Sequence, residues 1–134
     1  MVLQVGVKIF LKNPKGEYLI LKRSKERYPK INKLWDIPGG RIESGFDLIE
    51  NLKREVREET GLELTKTVCL LGAQDILRDD KHIVRLTYKG EIEGEPELNG
   101  DEDVDFCWKT IESLESWDEF DEFSSEYVKK GVLN

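Results

Sequence analysis

The chain has 134 residues, 38% hydrophobic and 37% charged, enough for one compact domain and short for two. A chain of this size buries about two-thirds of its unfolded surface and needs no disulfide or structural metal to stay folded, so a bound metal would serve chemistry. Its 21 Lys and Arg against 28 Asp and Glu leave a net charge of -7, which argues against a general nucleic-acid backbone binder, because that job requires a basic footprint.

Residues 2–11, rich in Val, Ile and Phe, predict a strand that ends at Asn13-Pro14-Lys15-Gly16, whose Pro and Gly placements suit a type I turn. The apolar run at 17–22 predicts its hairpin partner. Residues 24–35 are basic, carry Pro29 and follow neither a period of 2 nor of 3.6, so they predict a long loop of the kind that is often functional. Ile49, Leu52 and Val56 then make one apolar stripe, predicting a helix over 48–60. Asp47 suits its N-cap with Glu50 three places on, and Gly61 suits the left-handed position that ends it. Strands follow at 67–74 and 82–92 about a turn at Asp79 and Asp80, then a Gly/Pro/Asn loop over 94–100, a short strand over 104–108 and a closing helix over 111–130. This order predicts an α/β fold, a single-domain α/β/α sandwich with a mixed β-sheet spanning residues 1–134.

The acidity is uneven. Residues 1–54 carry 12 basic and 6 acidic side chains, whereas 91–126 carry 1 and 15, interleaved with Val104, Phe106, Trp108, Ile111, Leu114, Trp117 and Phe120, which points to folded structure. Cys69 and Cys107 form no C-x-x-C pair and read as reduced core residues. There is no signal region, and no run approaches the roughly 18 apolar residues of a bilayer span, so a cytoplasmic protein without membrane contact is expected.

At about 100° per residue, Glu55, Glu58 and Glu59 fall on one edge of the predicted helix, beside its apolar stripe. Like charges at this spacing weaken a helix, and they sit near its C-terminus, where the dipole disfavours them. A hard divalent cation such as Mg²⁺ offsets that cost and commonly bridges carboxylates to phosphate. Upstream lies Pro38-Gly39-Gly40-Arg41, where paired glycines admit close backbone approach and Arg41 offers a planar fork for phosphate. Asp101, Asp103, Asp105 and Glu112 superficially match a calcium loop, but Phe106 stands where the sharp turn requires Gly. His82, the one histidine, lies in an alternating strand with no nucleophile to serve.

Gly40, then Arg54-Glu55-Val56-Arg57-Glu58-Glu59-Thr60-Gly61-Leu62, resembles the Nudix box G-x5-E-x7-R-E-U-x-E-E-x-G-U, where U is bulky and aliphatic. Trp35-Asp36-Ile37-Pro38-Gly39 is also similar to the family's usual approach to the box. The resemblance implies the Nudix fold and hydrolysis of a nucleoside diphosphate linked to another group, with Mg²⁺ or Mn²⁺ as cofactor. It implies Glu55, Glu58 and Glu59 as metal ligands, the Gly40 carbonyl as a fourth, and either Glu58 or Glu102 as the base that takes the water's proton. Arg23, Lys22 and Arg41 are the candidate substrate-phosphate contacts, and Tyr28, Trp35 and Phe106 the candidates for stacking on a base.

The one departure is Phe46, where the family has glutamate. That glutamate looks structural in the family, bridging the box arginine, and Arg54 can pair instead with Glu50 or Glu43. Trp35 before the box resembles (d)NTP pyrophosphohydrolases, and the proline or tyrosine expected beyond the box in ADP-ribose or dinucleoside-polyphosphate members is missing. The expected partner is a small-molecule nucleotide. Pyrophosphatases of ADP-ribose, nucleotide sugars or dinucleoside polyphosphates are the alternatives, with a catalytically inactive nucleotide-binding module as the alternative of another class. The oligomeric state stays open, a homodimer included.

Overall fold

A computed structural model describes residues 1–133, in which the apolar runs form strands β1 (Val2–Lys12), β2 (Tyr18–Arg23), β3 (Trp35–Asp36), β4 (Gly39–Arg41), β5 (Cys69–Arg78), β6 (Lys81–Glu91) and β7 (Asp103–Lys109). Helices α1 (Leu48–Thr60), α2 (Ile111–Glu115) and α3 (Glu122–Lys129) complete it. The mixed sheet runs β3-β2-β1-β6-β5, with β4 also paired to β1 and β7 to β2. Among the described residues no helix is long and apolar enough to cross a membrane.

β1 alternates between two buried faces, which is why it reads as a nearly continuous apolar run. Val7, Ile9 and Leu11 face α1, where they pack with Leu52 and Val56, and Phe10 faces the other side, packing with Leu114 of α2 and Tyr127 and Val128 of α3. Two cores, one on each face of the sheet, make the expected α/β/α sandwich. Each fully buried Leu or Val contributes about 1.5–3 kcal/mol. Ile49, expected on the α1 stripe, is exposed.

Both ends of α1 form as their residues dictate. The Asp47 carboxylate accepts from the Glu50 N–H at 2.8 Å, and Gly61 ends the helix at φ 72°. Three other expectations are corrected. The β1/β2 hairpin is joined only at its turn, with Lys12 opposite Tyr18, because β4 takes the edge of β1 at Gly6–Lys8 and β3 takes that of β2 at Leu21 and Lys22. The long partner of β1 is β6, parallel from Val2 opposite Lys81 to Lys12 opposite Glu91. The closing helix is two helices, since the Asp121 side chain caps Phe123 and Ser124 and restarts the helix there. Cys69 is exposed rather than in the core, because β5 is an edge strand.

Candidate active site

β4 lies antiparallel against β1, with Gly39 opposite Lys8 and Gly40 opposite Val7. Neither position has room for a side chain. Gly39 has φ 141°, and a Cβ there would sit 2.0 Å from the Val7 carbonyl oxygen. At Gly40 a Cβ would meet the Glu55 carboxylate at 2.7–3.0 Å. The glycine pair therefore lets the acids of α1 press directly onto the strand, and the Gly39 N–H donates to Glu59 Oε1 at 2.7 Å.

Those acids differ in their surroundings. Glu55 and Glu59 are buried, whereas the Glu58 side chain is 56% exposed. Burial, reinforced by the Glu58 and Glu102 charges and opposed by Arg54, pushes the Glu55 carboxyl up. Burial pushes Glu59 well above the usual range, and the neighbouring Asp103 carboxyl pushes it further. Asp103 is itself buried, with Oδ2 lacking any hydrogen-bond partner. Arg54 sits among the acids, 3.2 Å from Glu55 and Glu58 and 3.6 Å from Glu43. Among the described residues no three carboxylate, imidazole or thiol groups already converge on one metal-sized point. The donor set is nonetheless the hard-oxygen kind that Mg²⁺ and Mn²⁺ prefer. The contact of Glu55 with Gly40, the orphaned Asp103 oxygen and the raised carboxyls are an arrangement that a divalent cation satisfies.

A second cluster of charge lines the same cleft, which encloses about 1540 Å³. Asp36 is buried among Lys8 at 3.3 Å, Arg85 at 3.5 Å and Arg23, while Arg85 also holds Asp121 at 2.9 Å. Burial alone would raise the Asp36 carboxyl, but Lys8, Arg85 and Arg23 outweigh it and hold Asp36 far below the usual range. Burial likewise opposes the charge on Arg23, and Asp36 and Asp121 more than restore it.

Apart from Lys22, the cleft brings together every candidate site residue: Arg23, Gly40, Arg41, Glu55, Glu58, Glu59 and Glu102 all line it. They are not equally available. The Arg23 side chain is 14% exposed and engaged by Asp36, whereas Arg41 is exposed at the mouth. Glu102 is partly exposed and faces Arg27 at 3.5 Å. Of the aromatic candidates, Tyr28 lines the cleft, but Trp35 packs on Trp117 at 5.3 Å and Phe106 packs against the α1-side core. Phe46 is 52% exposed and outside the cleft, and Arg54 pairs with Glu43 rather than Glu50.

The family model described as NUDIX domain matches residues 2–130. The chain belongs to the Nudix family. It is 29% identical over 98 residues to the RNA pyrophosphohydrolase of Bartonella bacilliformis, a match covering 66% of this chain and 56% of that protein. It is 36% identical over 52 residues to the 8-oxo-dGTP diphosphatase of Buchnera aphidicola, covering 39% of this chain and 38% of that protein. The matched segments thus span little more than half, or less, of these curated relatives. In fold it is similar to the MutT protein of Methanosarcina mazei, with a TM-score of 0.82, 23% identity, and 96% of this chain and 91% of that one covered.

Reading the Nudix box alone leaves out Asp103, which is buried and pairs with Arg23 of β2 just past an irregularity in the β2/β7 register. It also leaves out Lys8, Asp36, Arg85 and Asp121. The available signal was charge inside apolar strands: Lys8 interrupts β1 and Arg85 interrupts β6, positions where an unpaired charge would be prohibitive.

Proposed function

We propose that this Nudix protein hydrolyses phosphoric anhydride bonds in nucleoside diphosphates linked to another moiety, with (d)NTPs as the leading substrates and Mg²⁺ or Mn²⁺ as cofactor. The observation that carries the reading is the pressing of buried Glu55 and Glu59 onto the Gly39-Gly40 backbone, beside the half-exposed Glu58. Carboxylates raised by burial and by one another bind a divalent cation in preference to remaining uncompensated. The names of the two relatives, a pyrophosphohydrolase and a diphosphatase, support the same class of bond.

Glu55, Glu58 and Glu59, with the Gly40 carbonyl, would hold the cation. When bound, it supplies neutralisation of the diphosphate and acidification of the attacking water. The protein's own groups do the rest. Arg54 holds Glu55 and Glu58 in place, Arg41 at the mouth meets phosphate, and Glu58 or Glu102 accepts the proton of the attacking water. Glu58 is exposed enough to reach water, and Glu102 is held over the cleft by Arg27 and by its carbonyl, which accepts from the Ser24 N–H at 2.8 Å.

The test is a panel of NTPs, dNTPs, oxidised nucleotides, ADP-ribose, dinucleoside polyphosphates and nucleotide sugars with Mg²⁺, products being read by chromatography. The expected result is a nucleoside monophosphate with pyrophosphate from at least one (d)NTP. Nucleotide binding without turnover across the panel would instead identify an inactive binding module.

A further inference from the structure

The charge cluster opposite the glutamates leaves one donor unspent. Lys8, Arg23 and Arg85 stand against Asp36 and Asp121 at the floor of the cleft, and the Lys8 charge also reaches Glu55 and Glu59. Both arginines are shared between the two carboxylates. Lys8 is different. Its ammonium carries three N–H groups; one donates to the Ile37 carbonyl at 3.2 Å and another faces Asp36 at 3.3 Å. No described residue takes the third, on a side chain that is 13% exposed and lines the cleft.

The backbone around Lys8 makes room for a ligand. Successive residues of a strand alternate faces, so Gln4, Gly6 and Lys8 stand in one row on β1. Gly6 lies between β6 and β4, opposite Arg85 on one side and Arg41 on the other. A Cβ at Gly6 would meet only the Gly40 carbonyl oxygen, at 3.6 Å. The result is a recess floored by Gly6 and walled by Gln4, Lys8, Ile83 and Arg85, continuous with the glutamate end of the cleft. A flat group entering it meets the unspent Lys8 N–H beside the Gly40 carbonyl, both carboxylates there being already engaged by cations.

We propose that Lys8 is a specificity-determining residue, donating its third N–H to an exocyclic keto oxygen of the nucleobase seated over Gly6. This rests on the reading of the cleft as a nucleotide site and adds a base preference to it. A keto oxygen at purine C6 or pyrimidine C4, as in guanine, uracil or thymine, accepts from the ammonium; the amino group that adenine or cytosine carries at that position presents another donor and leaves the lysine without its bond. Loss of a charge-assisted hydrogen bond in a buried site predicts a preference of about 10- to 100-fold for the keto base.

The decisive experiment measures binding of GMP and AMP, and of UMP and CMP, to the full chain in EDTA, so that turnover plays no part. Wild type is expected to favour the keto member of each pair by at least about tenfold. Lys8→Met should bring each ratio to within about twofold, and Lys8→Arg, which keeps a donor, should restore most of it. Circular dichroism and the melting temperature identify folded variants, and Lys8→Gln, a shorter neutral donor, provides the comparison if Lys8→Met does not fold. Equal binding of keto and amino bases by wild type, or an unchanged ratio in folded Lys8→Met or Lys8→Gln, overturns the proposal. Discrimination by Lys8 without hydrolysis of any nucleotide under Mg²⁺ would sustain it while removing the hydrolase reading; hydrolysis without discrimination would do the reverse.

Discussion

Asp36 and Glu59 are both buried carboxylates on the wall of one cleft, yet Asp36 is held far below the usual range and Glu59 is pushed well above it. The difference lies in their neighbours. Asp36 is surrounded by Lys8, Arg23 and Arg85, so its charge is compensated within the protein. Glu59 meets a backbone N–H and another acid, Asp103, and Glu55 beside it has Arg54 but also Glu58 and Glu102. One end of the cleft is a closed electrostatic unit that ties strands and helix together. The other is open, and under the proposed function its excess of negative charge is what a divalent cation would answer.

The largest expected effect comes from the open end. Glu58→Gln and Glu59→Gln should each lower kcat by about 10²- to 10⁴-fold, with nucleotide products measured by chromatography. Removing the Glu59 charge should leave the metal-free melting temperature unchanged or higher, because it relieves burial of an uncompensated carboxylate. Asp36→Asn breaks the closed end and should behave in the opposite way, lowering stability by about 3–5 kcal/mol in a denaturant titration, since it strands three cations with Asp121. The sign with pH is fixed by the depressed carboxyl. The Asp36 contribution is fully present above the unfolded aspartate value of about 3.9 and is lost as pH falls below it. Asp36→Asn should therefore flatten the acid limb of stability against pH.

Gly40→Ala probes the contact between the strand and the acids. Its Cβ displaces the Glu55 carboxylate, so kcat/KM should fall by about tenfold or more while the fold persists. Gly39→Ala should instead destabilise the protein, because its Cβ meets backbone of β1 at a positive φ. Phe46→Glu should have the smallest effect. Phe46 is exposed outside the cleft and Arg54 is already bridged to Glu43, so stability should change by no more than about 0.5 kcal/mol and rate by little. A large gain in rate from Phe46→Glu would show that the box departure does compromise the open end.

The open end was legible in the amino-acid sequence because it is local: the glycine turn and α1 lie between Gly39 and Leu62, and α1 carries its own start and stop signals at Asp47 and Gly61. The closed end was not. Lys8, Arg23, Asp36, Arg85 and Asp121 come from β1, β2, β3, β6 and the cap of α3, and they meet only through long-range strand pairing. The same reason hid the parallel pairing of β1 with β6, since a turn after β1 suggests the nearest strand as its partner. The break between α2 and α3 was hidden by continuous apolar spacing across residues 111–130, which does not reveal that Asp121 is buried as a cap.

The most direct test of the claim that the glutamate end answers to a cation is a Mn²⁺ titration of the full chain followed by electron paramagnetic resonance, without nucleotide. Wild type should bind Mn²⁺ in competition with Mg²⁺, and Glu55→Gln with Glu59→Gln in one chain should lose that binding while Asp36→Asn, if folded, retains it. Equal Mn²⁺ binding by wild type and the double glutamine variant would contradict the account.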